Sequence, residues 1–194
     1  MSPHNQLRQF KLKDDIAPHN GKIKLKLAGF SFQNIISLED VIAAIDVLPA
    51  AHLSGLQELF YDPDRMTIYD ADISQWNSLS NSKGSFNRDR RRVLIYAFDN
   101  REMFFKVLYH EIGHYVFYNI INGSIRKKWV GQISKQSGYV SKYAALNASE
   151  DFAETYAAFV LHPQKLHTLG QKLSFMRREV FNGYAVDAQH LLTR

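Results

Sequence analysis

The alternation of apolar and polar residues predicts strands in the first half of the chain. Residues 22–30 place Leu25 and Leu27 on one side and lysines on the other, and this period of two is typical of a half-buried strand. A helical period over residues 37–48 instead predicts a helix that Ser37 caps. Further strands are predicted at 56–61, 65–71 and 91–98.

The second half of the chain has a helical period almost throughout. The stretch before it, residues 72–87, is rich in Ser, Asn and Gly and is predicted to be mainly a loop. Helices are predicted at 100–121, 124–136, 149–162 and 164–181. Because strands come first and helices follow, the pattern favours an α+β fold. We expect one domain over residues 1–194, with a strand-rich half at 1–98 that includes an edge strand, and a helical half at 99–194.

Composition narrows the chemistry that this domain can perform. With 45% apolar and 22% charged residues, the chain is typical of a globular protein. Cysteine is absent, which excludes disulfides, a cysteine nucleophile and thiolate metal sites, so any metal ligands must be histidine or carboxylate. The net charge of +5 mildly favours acidic partners without selecting nucleic acid.

The N-terminal residues are polar and contain no apolar signal core, and no stretch approaches the length of a membrane-spanning helix. We therefore expect no membrane insertion. The location is left open between the cytoplasm, secretion by a route without a cleaved signal, and a mature secreted form.

The most informative segment is "FFKVLYHEIGHYVFYNIING", in which two histidines and a carboxylate interrupt an apolar helical stripe. Asp99 and Glu102 are spaced as a capping box, which predicts the start of this helix. His110 and His114 are one turn apart, as a tetrahedral zinc ion requires of ligands on one helix, and Glu111 beside them is a candidate general base. Chance would give such a motif roughly 0.01 times in a chain of this composition. The alternative is a pair of core histidines bonded to backbone carbonyls.

A catalytic zinc site needs a third protein ligand, and a carboxylate on a later helix can supply it. In "LNASEDFAETYAAFVLHP", Ser149 can cap a helix on which Glu150 and Glu154 lie one turn apart. Small residues such as Ala153 would allow this helix to pack closely against the one that bears the histidines. The alternative is a solvated pair of glutamates near a helix N-terminus, where the dipole favours negative charge. The spacing does not decide which carboxylate is the ligand.

These motifs resemble those of the gluzincin metallopeptidases, and most of all the anthrax toxin lethal factor and Pro-Pro endopeptidase group. Tyr143 lies seven residues before Glu150, which opens the E-x-F-A-E-like helix and follows His114 by 36 residues. The resemblance implies a zincin-like fold with a small mixed sheet, an active-site helix and a zinc ion held by His110, His114 and Glu150. It also implies that Tyr143 donates a hydrogen bond to the oxyanion, and that Glu154 orients a ligand histidine. The strand at 91–98 would be the edge strand that pairs with the substrate.

The segment "EDFAETYAAFVLHP" is also similar to the helix of the ImmA/IrrE regulatory peptidases, with Glu154 where they have asparagine. That second resemblance implies a regulatory protease that cleaves a repressor, without the tyrosine. Both resemblances make Glu150 the third ligand, and together they cover about residues 91–163.

The resulting hypothesis is a zinc-dependent endopeptidase, monomeric, with one Zn²⁺ per chain and a protein or peptide substrate. The basic run from Arg88 to Arg92 leaves two readings open, since it could steer acidic substrate residues or form a solvated edge that discourages aggregation. A non-catalytic nucleic-acid-binding module that uses this run is a further alternative, but nucleic acid is not the expected partner.

Overall fold

The computed structural model describes residues 25–64, 82–136 and 138–193. Within these residues, four short strands form one mixed sheet with the order β1-β2-β4-β3. The strands are β1 (Lys26–Ala28), β2 (Glu58–Tyr61), β3 (Gly84–Asn87) and β4 (Arg92–Ile95). β1, β2 and β4 run parallel, whereas β3 is antiparallel to β4.

The sheet order corrects two predictions. The strand predicted at 91–98 forms as β4, but it pairs on both sides, so it is not the edge strand of the sheet. Among the described residues, the edge on this side of the sheet is β3, in a stretch whose polar composition predicted a loop. β3 and β4 form a hairpin, and its cross-strand pairing outweighs the weak strand propensity of these residues. The strand predicted at 65–71, and residues 72–81 of the predicted loop, lie outside the described residues.

Helices account for most of the second half, as predicted. They are α1 (Leu38–Asp46), α2 (Arg101–Tyr115), α3 (Gly123–Lys128), α4 (Ser134–Gln136), α5 (Ala148–Leu161), α6 (Gly170–Phe175) and α7 (Gln189–Leu192). Wider π-type turns extend α2, α3 and α6 at their C-terminal ends. The helix predicted at 164–181 is interrupted, because a 3-10 turn at Pro163–Leu166 precedes α6.

The cap of α1 is confirmed, whereas the two other predicted caps are wrong by one or two residues. Ser37 and Asp40 form a capping box on α1. Asn100 instead of Asp99 caps α2, and Asn147 instead of Ser149 caps α5. In each case a neighbouring polar residue has the extended backbone that a cap requires, and this choice depends on how the preceding chain enters the helix.

The main core lies between the sheet and the helices. α2 packs against β3 and β4 on one side and against α5 on the other. Alternate residues of β2 and β4, such as Leu59 and Val93, are fully buried in this core, while Phe60 and Leu94 are buried in a smaller cluster on the opposite face. The apolar run of these strands therefore follows from burial of both faces of the sheet. None of the described helices is both long enough and apolar enough to cross a membrane.

Candidate metal centre

The close contact between α2 and α5 depends on Gly113, the glycine of the "HEIGH" segment. A Cβ atom at Gly113 would lie 2.9 Å from the Cα atom of Ala153, which is shorter than any ordinary contact. The missing side chain therefore allows the two helix backbones to approach each other, as the small residues of α5 predicted. This approach brings the glutamates of α5 to the histidines of α2.

Three side chains from these helices meet around one point. The Nε2 atoms of His110 and His114 are 3.1 Å apart, and the Oε2 atom of Glu150 is 3.1 Å from the first and 3.2 Å from the second. Each side chain is less than one-fifth exposed, with 11%, 12% and 18% of its surface accessible. The three residues form a group that could hold a metal ion.

The size of this triangle fits a small tetrahedral cation. Ligand bonds of about 2.0–2.1 Å at tetrahedral angles would place neighbouring ligand atoms roughly 3.3 Å apart. The measured separations of 3.1–3.2 Å lie close to that value. A triangle of three protein ligands also leaves a fourth position free, which is the arrangement of catalytic rather than structural zinc sites.

Glu154 fixes the orientation of the first histidine. Its Oε1 atom lies 3.0 Å from Nδ1 of His110, so Nδ1 can donate its proton to this carboxylate while Nε2 faces the triangle. The other oxygen of Glu154 lies 3.4 Å from the ammonium of Lys106. The contact between Glu154 and His110 is the one that the predicted orienting role requires, and the role itself stays a prediction.

The charges of the cluster are strongly coupled. Burial disfavours a positive charge on His110, but the carboxylates of Glu150 and Glu154 outweigh this effect and raise the pKa of His110 to about 10. Burial likewise disfavours ionised carboxylates, but both histidines hold the pKa of Glu150 at about 2, and His110 with Ser141 and Lys106 holds that of Glu154 at about 2. Without a metal, the cluster therefore attracts a proton to the place where a cation would bind.

Glu111 faces the same cleft and is only 5% exposed. Burial raises its pKa, and the two neighbouring histidines oppose this shift. The carboxylate lies directly under the start of β3, because a Cβ atom on Gly84 would be 2.8 Å from Oε1 of Glu111. Gly84 is thus a site residue that the sequence analysis missed. Its only sequence signal was a lone glycine in a polar stretch, which also indicates a loop.

Tyr143 completes the group of predicted residues. Its ring centroid is 5.7 Å from that of His110, and it lines a cavity of about 440 Å³ together with His110 and Glu111. The side chain is about half exposed. Burial, followed by the nearby carboxylates, raises the pKa of Tyr143, so its hydroxyl group is protonated and can donate a hydrogen bond at neutral pH.

The basic run covers the turn between β3 and β4 and the first residue of β4, and its members make different contacts. Arg92 forms an ion pair with Glu58, and its guanidinium lies over the ring of Phe60. Arg88 lies 5.4 Å from the ring centre of Tyr118, which in turn stacks near His114. The run is therefore not one uniform patch, and at least Arg92 has a structural role within the sheet.

No protein-family model matches the chain, and no curated protein matches it. The class that the structure defines is accordingly an α+β domain with a small mixed four-stranded sheet among its described residues. Its buried His110, His114 and Glu150 could bind a metal ion.

Proposed function

We propose that the protein is a zinc-dependent endopeptidase of the gluzincin type that hydrolyses peptide bonds of a protein substrate. The observation that carries this proposal is the triangle of His110, His114 and Glu150, with Glu111 beside it in the same cleft. Two histidines and a carboxylate with one open position are a known donor set for catalytic zinc. The separations between the three ligand atoms, 3.1–3.2 Å, also fit a tetrahedral zinc ion.

The chain's own residues supply the remaining chemistry. A bound zinc ion would polarise the peptide carbonyl and lower the pKa of water. Glu111 takes the proton of the attacking water and delivers it to the leaving amine as the C–N bond breaks, a role that suits a buried carboxylate with a raised pKa. Tyr143 donates a hydrogen bond to the carbonyl oxygen as negative charge develops there. Glu154 keeps His110 in the tautomer that a metal ligand needs.

The substrate would lie along β3. This strand borders the cleft at Gly84, and its outer edge pairs with no other strand of the described residues. An extended peptide can therefore add to the sheet through backbone hydrogen bonds. β3 therefore takes the role of pairing with the substrate, which the sequence assigned to the neighbouring strand at 91–98.

The position of Tyr143 favours the lethal factor and Pro-Pro endopeptidase type over the ImmA/IrrE type. This tyrosine is not expected in the second group, whereas here its ring lies beside His110 and lines the cleft. We therefore infer the first type for this chain.

Metal analysis combined with three variants tests the proposal. The purified protein should contain one zinc per chain, and free zinc at one hundred times its dissociation constant should stabilise the fold by about 2.7 kcal/mol. Glu111→Gln should keep the zinc and lose hydrolysis of a peptide library by a factor of at least about 100. His110→Ala should lose both. Glu102→Gln, an exposed change on the same helix, is the matched control and should behave as wild type.

Well under one zinc per chain, together with no thermal stabilisation by added zinc, would refute the proposal. Full activity of Tyr143→Phe would remove the argument for the lethal factor type and leave the zinc peptidase standing.

A further inference from the structure

The cavity beside the candidate metal centre is lined by two lysines as well as by groups of that centre. His110, Glu111 and Glu154 line one part of it, and its volume is about 440 Å³. Lys83, next to the start of β3, and Lys106, on α2, line the same cavity. Two cations therefore border the space that a substrate side chain would enter.

The ammonium of Lys83 has weak partners. Its Nζ atom lies 2.7 Å from the thioether sulfur of Met103, which is a poor hydrogen-bond acceptor. A carboxylate oxygen of Asp99 lies 3.8 Å away, but that side chain is 80% exposed, and exposed pairs of this kind contribute little. A carboxylate from a ligand would be a better acceptor for this ammonium than either of them.

Lys106 is held close to the reactive groups. It lies one helical turn before His110, about 6 Å along the helix axis. Its Nζ atom is 3.4 Å from Oε2 of Glu154, while the other oxygen of Glu154 pairs with the ring of His110. One carboxylate thus contacts both the ammonium of Lys106 and the ring of His110, and the side chain of Lys106 is 57% exposed.

From this arrangement we propose that the cavity is a subsite for an acidic side chain of the substrate, a proposal that rests on the peptidase function above. An extended peptide rises about 3.3 Å per residue, so a glutamate one or two positions from the scissile bond reaches both lysines. Met103 and Val107, which also line the cavity, pack against the methylene groups of that glutamate. The protein therefore prefers substrates with an acidic residue on one side of the cleaved bond.

Matched peptides with Glu, Gln or Lys at each of the three positions on either side of the bond test this preference. At one or two positions Glu should give a kcat/KM about fivefold higher than Gln, as two partly exposed ion pairs would produce. This ratio should approach one in about 1 M salt, because screening removes such pairs. The double variant K83E/K106E should reverse the preference and select Lys over Gln at the same positions.

The control is K127E/R178E, which has the same change of charge at two exposed residues that do not line the cavity. It should keep the preference for Glu. Calorimetric binding of the same peptides to zinc-loaded Glu111→Gln gives the preference without turnover. Equal kcat/KM values or equal affinities for the Glu and Gln peptides would overturn the acidic subsite. Loss of the preference in the control would do the same. Binding that favours Glu with no hydrolysis by wild type would instead contradict the peptidase function alone.

Discussion

Replacing Gly113 by alanine tests whether the close contact of α2 and α5 sets the geometry of the candidate metal centre. The added Cβ would lie 2.9 Å from the Cα atom of Ala153 and 3.3 Å from its carbonyl oxygen. Both are backbone atoms, so they cannot turn aside as a flexible side chain would. Since carbon atoms pack at about 3.5–4.0 Å, α5 must move away by about 0.6–1.1 Å.

This displacement is large for a metal site. Glu150 lies one turn before Ala153, so its carboxylate moves with the helix. The distances between a metal ion and its ligand atoms tolerate deviations of only about 0.2 Å. Overpacking costs about 1–3 kcal/mol, and the higher helix propensity of alanine returns about 1 kcal/mol. We therefore expect Gly113→Ala to reduce the free energy of unfolding of the metal-free protein by up to about 2 kcal/mol and to weaken zinc binding at least tenfold.

Thermal unfolding of the metal-free protein and competition for zinc with a chelating dye measure both effects. The melting temperature should fall by about 2–4 °C per kcal/mol for a chain of this size. Gly131→Ala is the matched control, because a Cβ there meets nothing within 4 Å. It should leave zinc affinity unchanged and the stability equal or higher. Wild-type zinc affinity in Gly113→Ala would refute the idea that this contact sets the ligand geometry.

Three further predictions concern the neighbours of the site and of α2. Glu154→Gln should weaken zinc binding by about 10- to 100-fold, because the first ligand histidine loses its orienting carboxylate; unchanged affinity in a chelator competition would contradict that role. Lys172→Met should lower the free energy of unfolding in urea by about 3–5 kcal/mol, since it leaves the fully buried carboxylate of Asp151 without its counter-ion. Adding Asp151→Asn should recover most of this loss. A double variant as unstable as the single one would show that charge is not the cause. The hydrogen bond from Arg101 holds the pKa of Asp40 well below its ordinary value, so this carboxylate stabilises the fold above about pH 4 and loses that effect as the pH falls through its folded pKa. Asp40→Asn should therefore be less stable than wild type at pH 7, and the difference should shrink below pH 4; a difference that is constant with pH would exclude this linkage.

The sequence was sufficient to group the histidines and the glutamates of the candidate metal centre on two helix faces, but its spacing did not decide between Glu150 and Glu154. His110 and His114 share a face of α2 because their spacing is local to one helix, and the periodicity shows it directly. Glu150 and Glu154 share a face of α5 for the same reason. The small residues of α5 indicated that the two helices could approach closely, and the structure confirms this at Ala153.

The sequence was not sufficient where the outcome depends on how separate segments pair or pack. β3 was predicted as a loop because its residues have little strand propensity, and its pairing with β4 in a hairpin makes it a strand. Gly84 could not be assigned a role, because its contact with Glu111 crosses from the sheet to α2. The helix caps predicted at Asp99 and Ser149 were wrong by one and two positions. The observed caps are Asn100 and Asn147, because nearby polar residues compete for the same role.

Another buried histidine in the same protein shows why His110 is unlike a structural core histidine. The ring of His52 is satisfied by neutral partners, with its nitrogens 2.8 Å from the hydroxyl of Tyr156 and 2.9 Å from the carbonyl of Val180, and burial lowers its pKa. His110 instead contacts two carboxylates and a second imidazole, and its pKa is raised to about 10. A protonated His110 donates to both carboxylates, and the ligand atoms of His110, His114 and Glu150 also lie close enough together to hold a metal ion. The buried face of α2 therefore carries a charged cluster that could bind a cation, unlike the neutral surroundings of His52.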